Sequence, residues 1–259
     1  MQVVILCGGK GTRLREETEV RPKPMVYIGD RPILWHIMKI YAHFGHNDFV
    51  LCLGYKADFI KNFFLNYQAI TSDFTLAIGR SAGPIFHNPH PEDGWTVTLA
   101  DTGLESQTGA RVSRVRKYIR DERFMLTYGD GLSDIDLARL IKFHKAHGKI
   151  GTVTGVRPPS RFGELGLADC ARVCEFNEKP QATAGLINGG FFVFERAIFD
   201  YLSDDESLVL EREPLQKLAR DGQMVAYEHA GFWQPMDTFR EYEFLTNLWA
   251  TGKAPWKVW

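Results

Sequence analysis

The chain has 259 residues, 44% of them hydrophobic, which is enough apolar material for one large core. Its 31 Lys and Arg nearly cancel its 32 Asp and Glu, so no overall field recruits nucleic acid or an anionic membrane, and a phosphate ligand must be gripped locally. No apolar run reaches the length of a bilayer span and the N-terminus shows no secretory pattern, so the expectation is a soluble, cytoplasmic chain with neither a membrane nor a nucleic-acid partner.

The first apolar run, Val3 to Cys7, has strand length and passes directly into Gly8-Gly9-Lys10-Gly11-Thr12-Arg13-Leu14. Glycines let backbone amides approach anionic oxygens closely, and a hydroxyl and a fork-shaped cation suit phosphate. The spacing fits neither the P-loop nor the dinucleotide fingerprint, because Leu14 stands where the last glycine of the latter belongs. Next comes Arg21-Pro22-Lys23-Pro24-Met25, in which two prolines restrict the backbone around one lysine and suit a rigidly placed cation. Ile33 to Phe44 follows the rhythm of an amphipathic helix, with Pro32 suited to its first turn.

A second strand is expected at Phe49 to Leu53, and an irregular surface connection over 81–94, rich in Gly, Pro, His and Asn. Arg111 lies in a stretch expected to be helical up to Arg120. The strand Phe124 to Tyr128 ends on Gly129-Asp130-Gly131, which puts the Asp130 carboxylate at the carboxyl end of a strand, where open sheets bind ligands and where a metal carboxylate fits. Ile135 to His147 reads as a helix with Ser133 or Asp134 as its N-cap, and Asp134-Ile135-Asp136, though it looks like a metal-binding D-x-D, is read as capping. His144 and His147 have no acidic third ligand near them and are read as a solvated helix face.

Ile150 to Val156 is another strand, followed by strand-like pieces at Phe162 to Leu167 and Phe191 to Glu195 and by two closing helical stretches. Alternating strands and helices predict an α/β fold, a mainly parallel central sheet flanked by helices, built as one continuous domain over residues 1–259 with a small C-terminal elaboration. Asp237, just before helical Thr238 onward, reads as a cap on pattern alone. Cys7, Cys52, Cys170 and Cys174 lack metal or redox spacing and are read as buried or otherwise bland thiols. The aromatic tail from Trp249 to Trp259 is read as able to pack against a neighbouring subunit.

Leu6 to Leu14 with Pro22-Lys23-Pro24-Met25 resembles the signature of the sugar-phosphate nucleotidylyltransferases. The likeness runs on through Ile33 to His36, Thr127 to Gly131, Glu178-Lys179-Pro180, Asn188 to Phe192 and Phe232 to Thr238. It implies a Rossmann-like, glycosyltransferase-A-type nucleotidyltransferase fold. It also implies a nucleotide site of Leu6, Gly8, Gly9, Gly11, Thr12, Arg13, Lys23, Ser106, Arg111 and Gly129, with Arg111 against the base. The sugar-phosphate site would be Glu178, Lys179, Asn188 and Gly189, the last with Gly190 making room for a hexose. Arg13, Lys23, Asp130 and Asp237 would be catalytic, with Mg²⁺ as cofactor on Asp130 and Asp237.

Several segments, Asn188 to Gly190 and Trp233 to Asp237 among them, look most like the cytidylyl-transferring members of that family. That likeness implies CTP and glucose 1-phosphate as substrates, CDP-glucose and pyrophosphate as products, a place in deoxysugar and lipopolysaccharide biosynthesis, and a homo-oligomer. Two alternatives stay open: uridylyl or thymidylyl transfer on the same fold, and a noncatalytic nucleotide-sugar-sensing subunit. The latter would usually have lost a metal carboxylate or the clamp lysine, and this chain has both.

Overall fold

The computed structural model describes residues 1–79, 83–87, 92–157, 164–167, 173–177 and 185–259. At its centre is β1 (Val3–Leu6), whose four apolar side chains are all buried, as a strand covered on both faces requires. Val3 and Ile5 enter one core layer, Val4 and Leu6 the other, the period-two alternation of a strand. On one side β1 pairs in parallel with β2 (Asp48–Leu53), which pairs in parallel with β3 (Thr96–Asp101). On the other it pairs in parallel with β4 (Arg123–Tyr128).

The remaining strands are β5 (Gly151–Val156), β6 (Ile187–Asn188), β7 (Phe192–Glu195) and β8 (Met224–His229). Strand β7 is antiparallel between β4 and β5, β6 continues along β5, and β8 pairs with β5 in parallel. This makes one eight-stranded, mainly parallel sheet that contains the runs expected as strands at Val3 to Cys7, Phe49 to Leu53, Phe124 to Tyr128 and Ile150 to Val156. Strands β3 and β8 escaped that reading because they lie at the sheet margins, where most of their side chains are only half-buried or exposed and a continuous apolar run is not needed.

Helices α1 (Ile33–His43), α2 (Ala57–Leu65), α3 (Thr108–Arg114), α4 (Leu137–His147), α5 (Glu213–Arg220) and α6 (Phe239–Ala250) divide between the two faces. Residues of α1, α2, α4 and α6 share the core layer of Val3 and Ile5, and residues of α3 and α5 that of Val4 and Leu6. Pro32 sits one residue earlier than expected, at the N-cap of α1. Among the described residues, no helix is long and apolar enough to cross a membrane.

Two readings of the sequence change in the packed structure. Helix α4 starts at Leu137, with the Asp136 carboxylate accepting the Arg139 N–H at 2.9 Å, while Asp134 pairs with His229 at 3.0 Å. His144 lies on the inner face of that helix and is 1% exposed; its Nδ1 meets Thr152 Oγ1 at 2.8 Å and its Nε2 meets Glu195 Oε1 at 3.1 Å. A hydrophilic residue is tolerated there because both ring nitrogens are satisfied. The aromatic tail folds onto its own chain, with Trp256 fully buried and stacked on Phe232 and Trp249. Cys7 and Cys52 are buried free thiols; Cys170 and the side chain of Cys174 lie outside the described residues.

Candidate active site

Strands β1, β2 and β4 end together, and the chain leaving β1 turns across their carboxyl ends, where open α/β sheets bind ligands. Gly11 takes φ +63° in that turn, and a Cβ there would lie 3.0 Å from Lys23 Cβ, so only glycine lets the loop settle against the lysine. Among the described residues, no protein acceptor takes the backbone N–H groups of Gly9 through Arg13. A run of unclaimed amides on a tight turn is a cradle for anionic oxygens.

Lys23 lies in a 3₁₀ turn, Lys23–Met25, between Pro22 and Pro24, and is buried to 9% exposure. Its Nζ lies 2.6 Å from Asp130 Oδ2 and 2.6 Å from Asp237 Oδ1. The two aspartates meet through a sheet pairing distant in sequence: Trp233–Pro235 runs antiparallel to Gly131–Ser133, and the Met236 N–H donates to Asp130 O at 2.9 Å. Thr238 caps α6 in a capping box with Glu241, so the Asp237 carboxylate is not the cap that its position suggested. Released from that duty, Asp237 also accepts from Arg13 at 2.9 Å. Burial by itself would lower the Lys23 pKa, but Asp130 and Asp237 outweigh it and raise it above the ordinary lysine value. The lysine is therefore a fixed positive charge.

Two carboxylates aimed at one ammonium are also aimed at a place for a hard cation. Among the described residues, no cluster of three or more His, Cys, Asp or Glu side chains forms a metal cage. The donor set fits a small divalent ion that keeps water and substrate oxygens as its remaining ligands.

A cleft of about 450 Å³ lies over these groups, lined by Leu6, Gly8, Gly9, Gly11, Thr12, Arg13, Lys23, Ser106, Arg111, Gly129, Asp130 and Asp237 among others. Every residue expected in the nucleotide site is thus brought to one cavity. Lys10 reaches across its mouth to Glu105 at 2.9 Å. Ser106 is 4% exposed, donates to Glu206 and accepts from Arg114. Cys7 also lines the cleft, but burial, with help from Cys52 and Asp130, raises its thiol pKa well above the usual value and leaves no thiolate nucleophile.

Arg111 is 4% exposed and spends its guanidinium on protein acceptors: Leu53 O, Gly103 O, Gly8 O, Leu104 O and Thr102 Oγ1, all at 2.8–3.3 Å. It ties the glycine turn to the 103–104 segment on the opposite lip. Asn188 and Gly189 stand next to the cleft, not in its lining. Asn188 Nδ2 donates to the hydroxyl of Tyr128, a lining residue, and Trp233 Nε1 donates to Gly189 O. The space a Cβ would occupy at Gly189 is taken by Val156 at 2.7 Å, so this glycine admits a neighbouring strand. Glu178 and Lys179 lie outside the described residues. Tyr128, Thr108 and Glu105 also line the cleft and were not singled out from the sequence; their signal is only that Tyr128 precedes Gly129-Asp130 and that Glu105 and Thr108 flank Ser106 in the stretch leading to Arg111.

A nucleotidyl transferase family model matches residues 2–243. The chain is 50% identical over 260 residues, covering 100% of both proteins, to a glucose-1-phosphate cytidylyltransferase of Salmonella typhi. It is 45% identical over 259 residues, again 100% of both, to a probable glucose-1-phosphate cytidylyltransferase of Bacillus subtilis. Among solved structures, a UDP-glucose pyrophosphorylase complexed with UDP-glucose superimposes with a TM-score of 0.70 at 15% identity, covering 97% of this chain and 98% of that one. A putative glucose-1-phosphate thymidylyltransferase of Bacillus anthracis gives 0.69 at 16%, covering 96% and 94%. At such identities the likeness is one of fold.

Proposed function

The chain belongs to the nucleotidyl transferase family, and from that premise we infer that it transfers a cytidylyl group from CTP to glucose 1-phosphate, giving CDP-glucose and pyrophosphate. Full-length relatives with that activity in their names support the choice of base and sugar over uridylyl or thymidylyl transfer and over a silent sensor. The observation that carries the chemistry is the meeting of Arg13, Lys23, Asp130 and Asp237 beneath a turn of unclaimed amides.

The triphosphate lies along Gly8 to Arg13, its oxygens taking the backbone N–H groups while Arg13 and Lys23 offset their charge. A phosphate oxygen of glucose 1-phosphate attacks the α-phosphorus; the new P–O bond forms as the bond to the β-phosphate oxygen breaks, and pyrophosphate leaves in line. The attacking phosphate is already mostly dianionic at neutral pH, its second pKa being about 6, so no general base is needed. The chief barrier is repulsion between two polyanions, which fixed cations in a sheltered cleft counter directly. Asp130 and Asp237 would hold Mg²⁺, which when bound supplies further positive charge to the phosphate oxygens. On this reading Arg111 sets the backbone lips between which the base lies, and Glu178, Lys179, Asn188 and Gly189 serve the sugar phosphate. The enzyme works as a cytoplasmic homo-oligomer supplying activated glucose for deoxysugar and lipopolysaccharide synthesis.

The test is pyrophosphate release over a grid of CTP, UTP, dTTP and GTP against several sugar 1-phosphates, with and without Mg²⁺. The expected result is a strong preference for CTP with glucose 1-phosphate and no turnover after chelation. Faster turnover with another base, or unchanged turnover in chelator, sinks the respective part of the reading.

A further inference from the structure

The segment 204–211 comes from the C-terminal part of the chain, yet it is bound to the lip of the nucleotide cleft. Gln107 N–H donates to Glu206 O at 2.8 Å, and Gly109 and Ala110 N–H both donate to Leu208 O. Ser113 Oγ donates to Asp204 at 2.8 Å. The N–H groups of Gln107, Gly109 and Ala110 at the start of α3 are therefore taken by protein carbonyls, and this helix end is a docking point for the segment.

Glu211 closes the segment. Its Oε2 accepts from the Thr108 hydroxyl at 2.6 Å and its Oε1 from the Tyr128 hydroxyl at 2.5 Å. Both hydroxyls belong to residues lining the cleft, whereas Glu211 stands behind the lining. Each hydroxyl is itself pinned: Thr108 Oγ1 accepts Leu210 N–H at 2.9 Å, and Tyr128 Oη accepts Asn188 Nδ2 at 3.0 Å. Asn188 is oriented in turn, because its Oδ1 accepts Gly190 N–H at 2.9 Å. Burial, reinforced by the Glu211 charge, raises the Tyr128 pKa and keeps its hydroxyl a donor. The result is one network of hydrogen bonds converging on Glu211, from the nucleotide lip at Thr108 on one side and from Gly190 and Asn188 through Tyr128 on the other.

We propose that Glu211 is a positioning residue for the transfer reaction, one carboxylate that sets the distance between the nucleotide side and the sugar side of the cleft. Removing it leaves two hydroxyls without an acceptor and frees both walls at once, so both substrates lose binding while the reacting groups keep their own contacts. The proposal rests on the reading of function above, in that it takes Thr108 to face the nucleotide and Asn188 the sugar phosphate.

The experiment measures initial rates, varying CTP and glucose 1-phosphate separately, for the wild type, Glu211→Ala and Glu211→Gln, with thermal unfolding of each. Losing two charge-assisted hydrogen bonds, Glu211→Ala raises KM for both substrates by about tenfold with a smaller change in kcat, and Glu211→Gln, which keeps one acceptor and the shape, recovers most of it. The proposal is overturned if both KM values stay within about twofold of wild type, if only one rises, or if Gln is no better than Ala while kcat falls in step with thermal stability. The wild-type arm reports on function independently. Should it use a different nucleotide, the reading of the base fails and the Glu211 comparison is made with the nucleotide it does turn over; should it turn over none, the positioning role falls with the activity.

Discussion

Lys23 and His36 are both buried ionisable side chains close together in the chain, and they have opposite fates. Burial works against the charged form of each. At Lys23 two carboxylates reverse that pressure and the ammonium keeps its proton. At His36 the surroundings are Trp35, Trp249 and Trp256, and the ring donates to Ile28 O at 2.9 Å while its Nδ1 receives the Trp256 N–H. Burial, only partly opposed by that backbone bond, lowers the His36 pKa to about 4. The difference teaches where function sits: the cleft retains charge and opens toward ligand, whereas the aromatic nest and the His144 cluster use up their polar groups internally.

The comparison breaks most sharply at Lys23. Lys23→Ala should lower kcat by about a hundredfold or more while a cooperative unfolding transition survives, because the lost charge acts on the transition state and not on the core. Near-normal turnover in that variant would remove Lys23 from the mechanism. The next largest effect is on stability. The folded pKa of His36 lies below its unfolded value, so the neutral ring contributes stability that is intact above pH 6.5 and is lost between there and about pH 4, to the extent of about 3 kcal/mol. Urea midpoints followed by tryptophan emission across that range check it, and a flat profile would contradict it.

Glu195 sharpens the contrast from the other side. It accepts from Arg123 and His144, so Glu195→Ala strands two donors and should cost about 2 kcal/mol in chemical denaturation. Its kcat should stay at the wild-type level, which steady-state rates would show. The smallest effect belongs to the mouth of the cleft, where Lys10 and Glu105 are 50% and 62% exposed. Glu105→Gln should leave stability within about 1 kcal/mol and lower KM for CTP by about twofold, since it frees Lys10 for phosphate. A higher KM would instead make Glu105 a ligand-holding residue.

Much of this was legible in the residues. Buried parallel strands must be largely apolar on both faces, so β1, β2 and β4 announced themselves, and the glycine turn and the proline-flanked lysine are local patterns that carry their chemistry in their own backbone. Other features had no local signal. His144 shares the apolar helix face of Leu137 and Leu140, but the partners that satisfy its buried ring, Thr152 and Glu195 on strands β5 and β7, leave no trace in the helix's own sequence. Arg111 looks like a free cation in its helix and is consumed by four carbonyls from three other places in the chain. Glu211 precedes an ordinary helix and acquires meaning from Thr108 and Tyr128.

By itself, then, the sequence determined the sheet's interior strands, the anion-cradling turn and the list of charged residues available to a phosphate ligand, because each depends on neighbours a few residues away. Only the tertiary structure decided that Asp237 abandons a helix cap to Thr238 and joins Asp130 on Lys23, and that the 204–211 segment braces the nucleotide lip. Those outcomes depend on pairings between stretches roughly a hundred residues apart or more, which the free energy of the whole folded chain selects and no local pattern encodes.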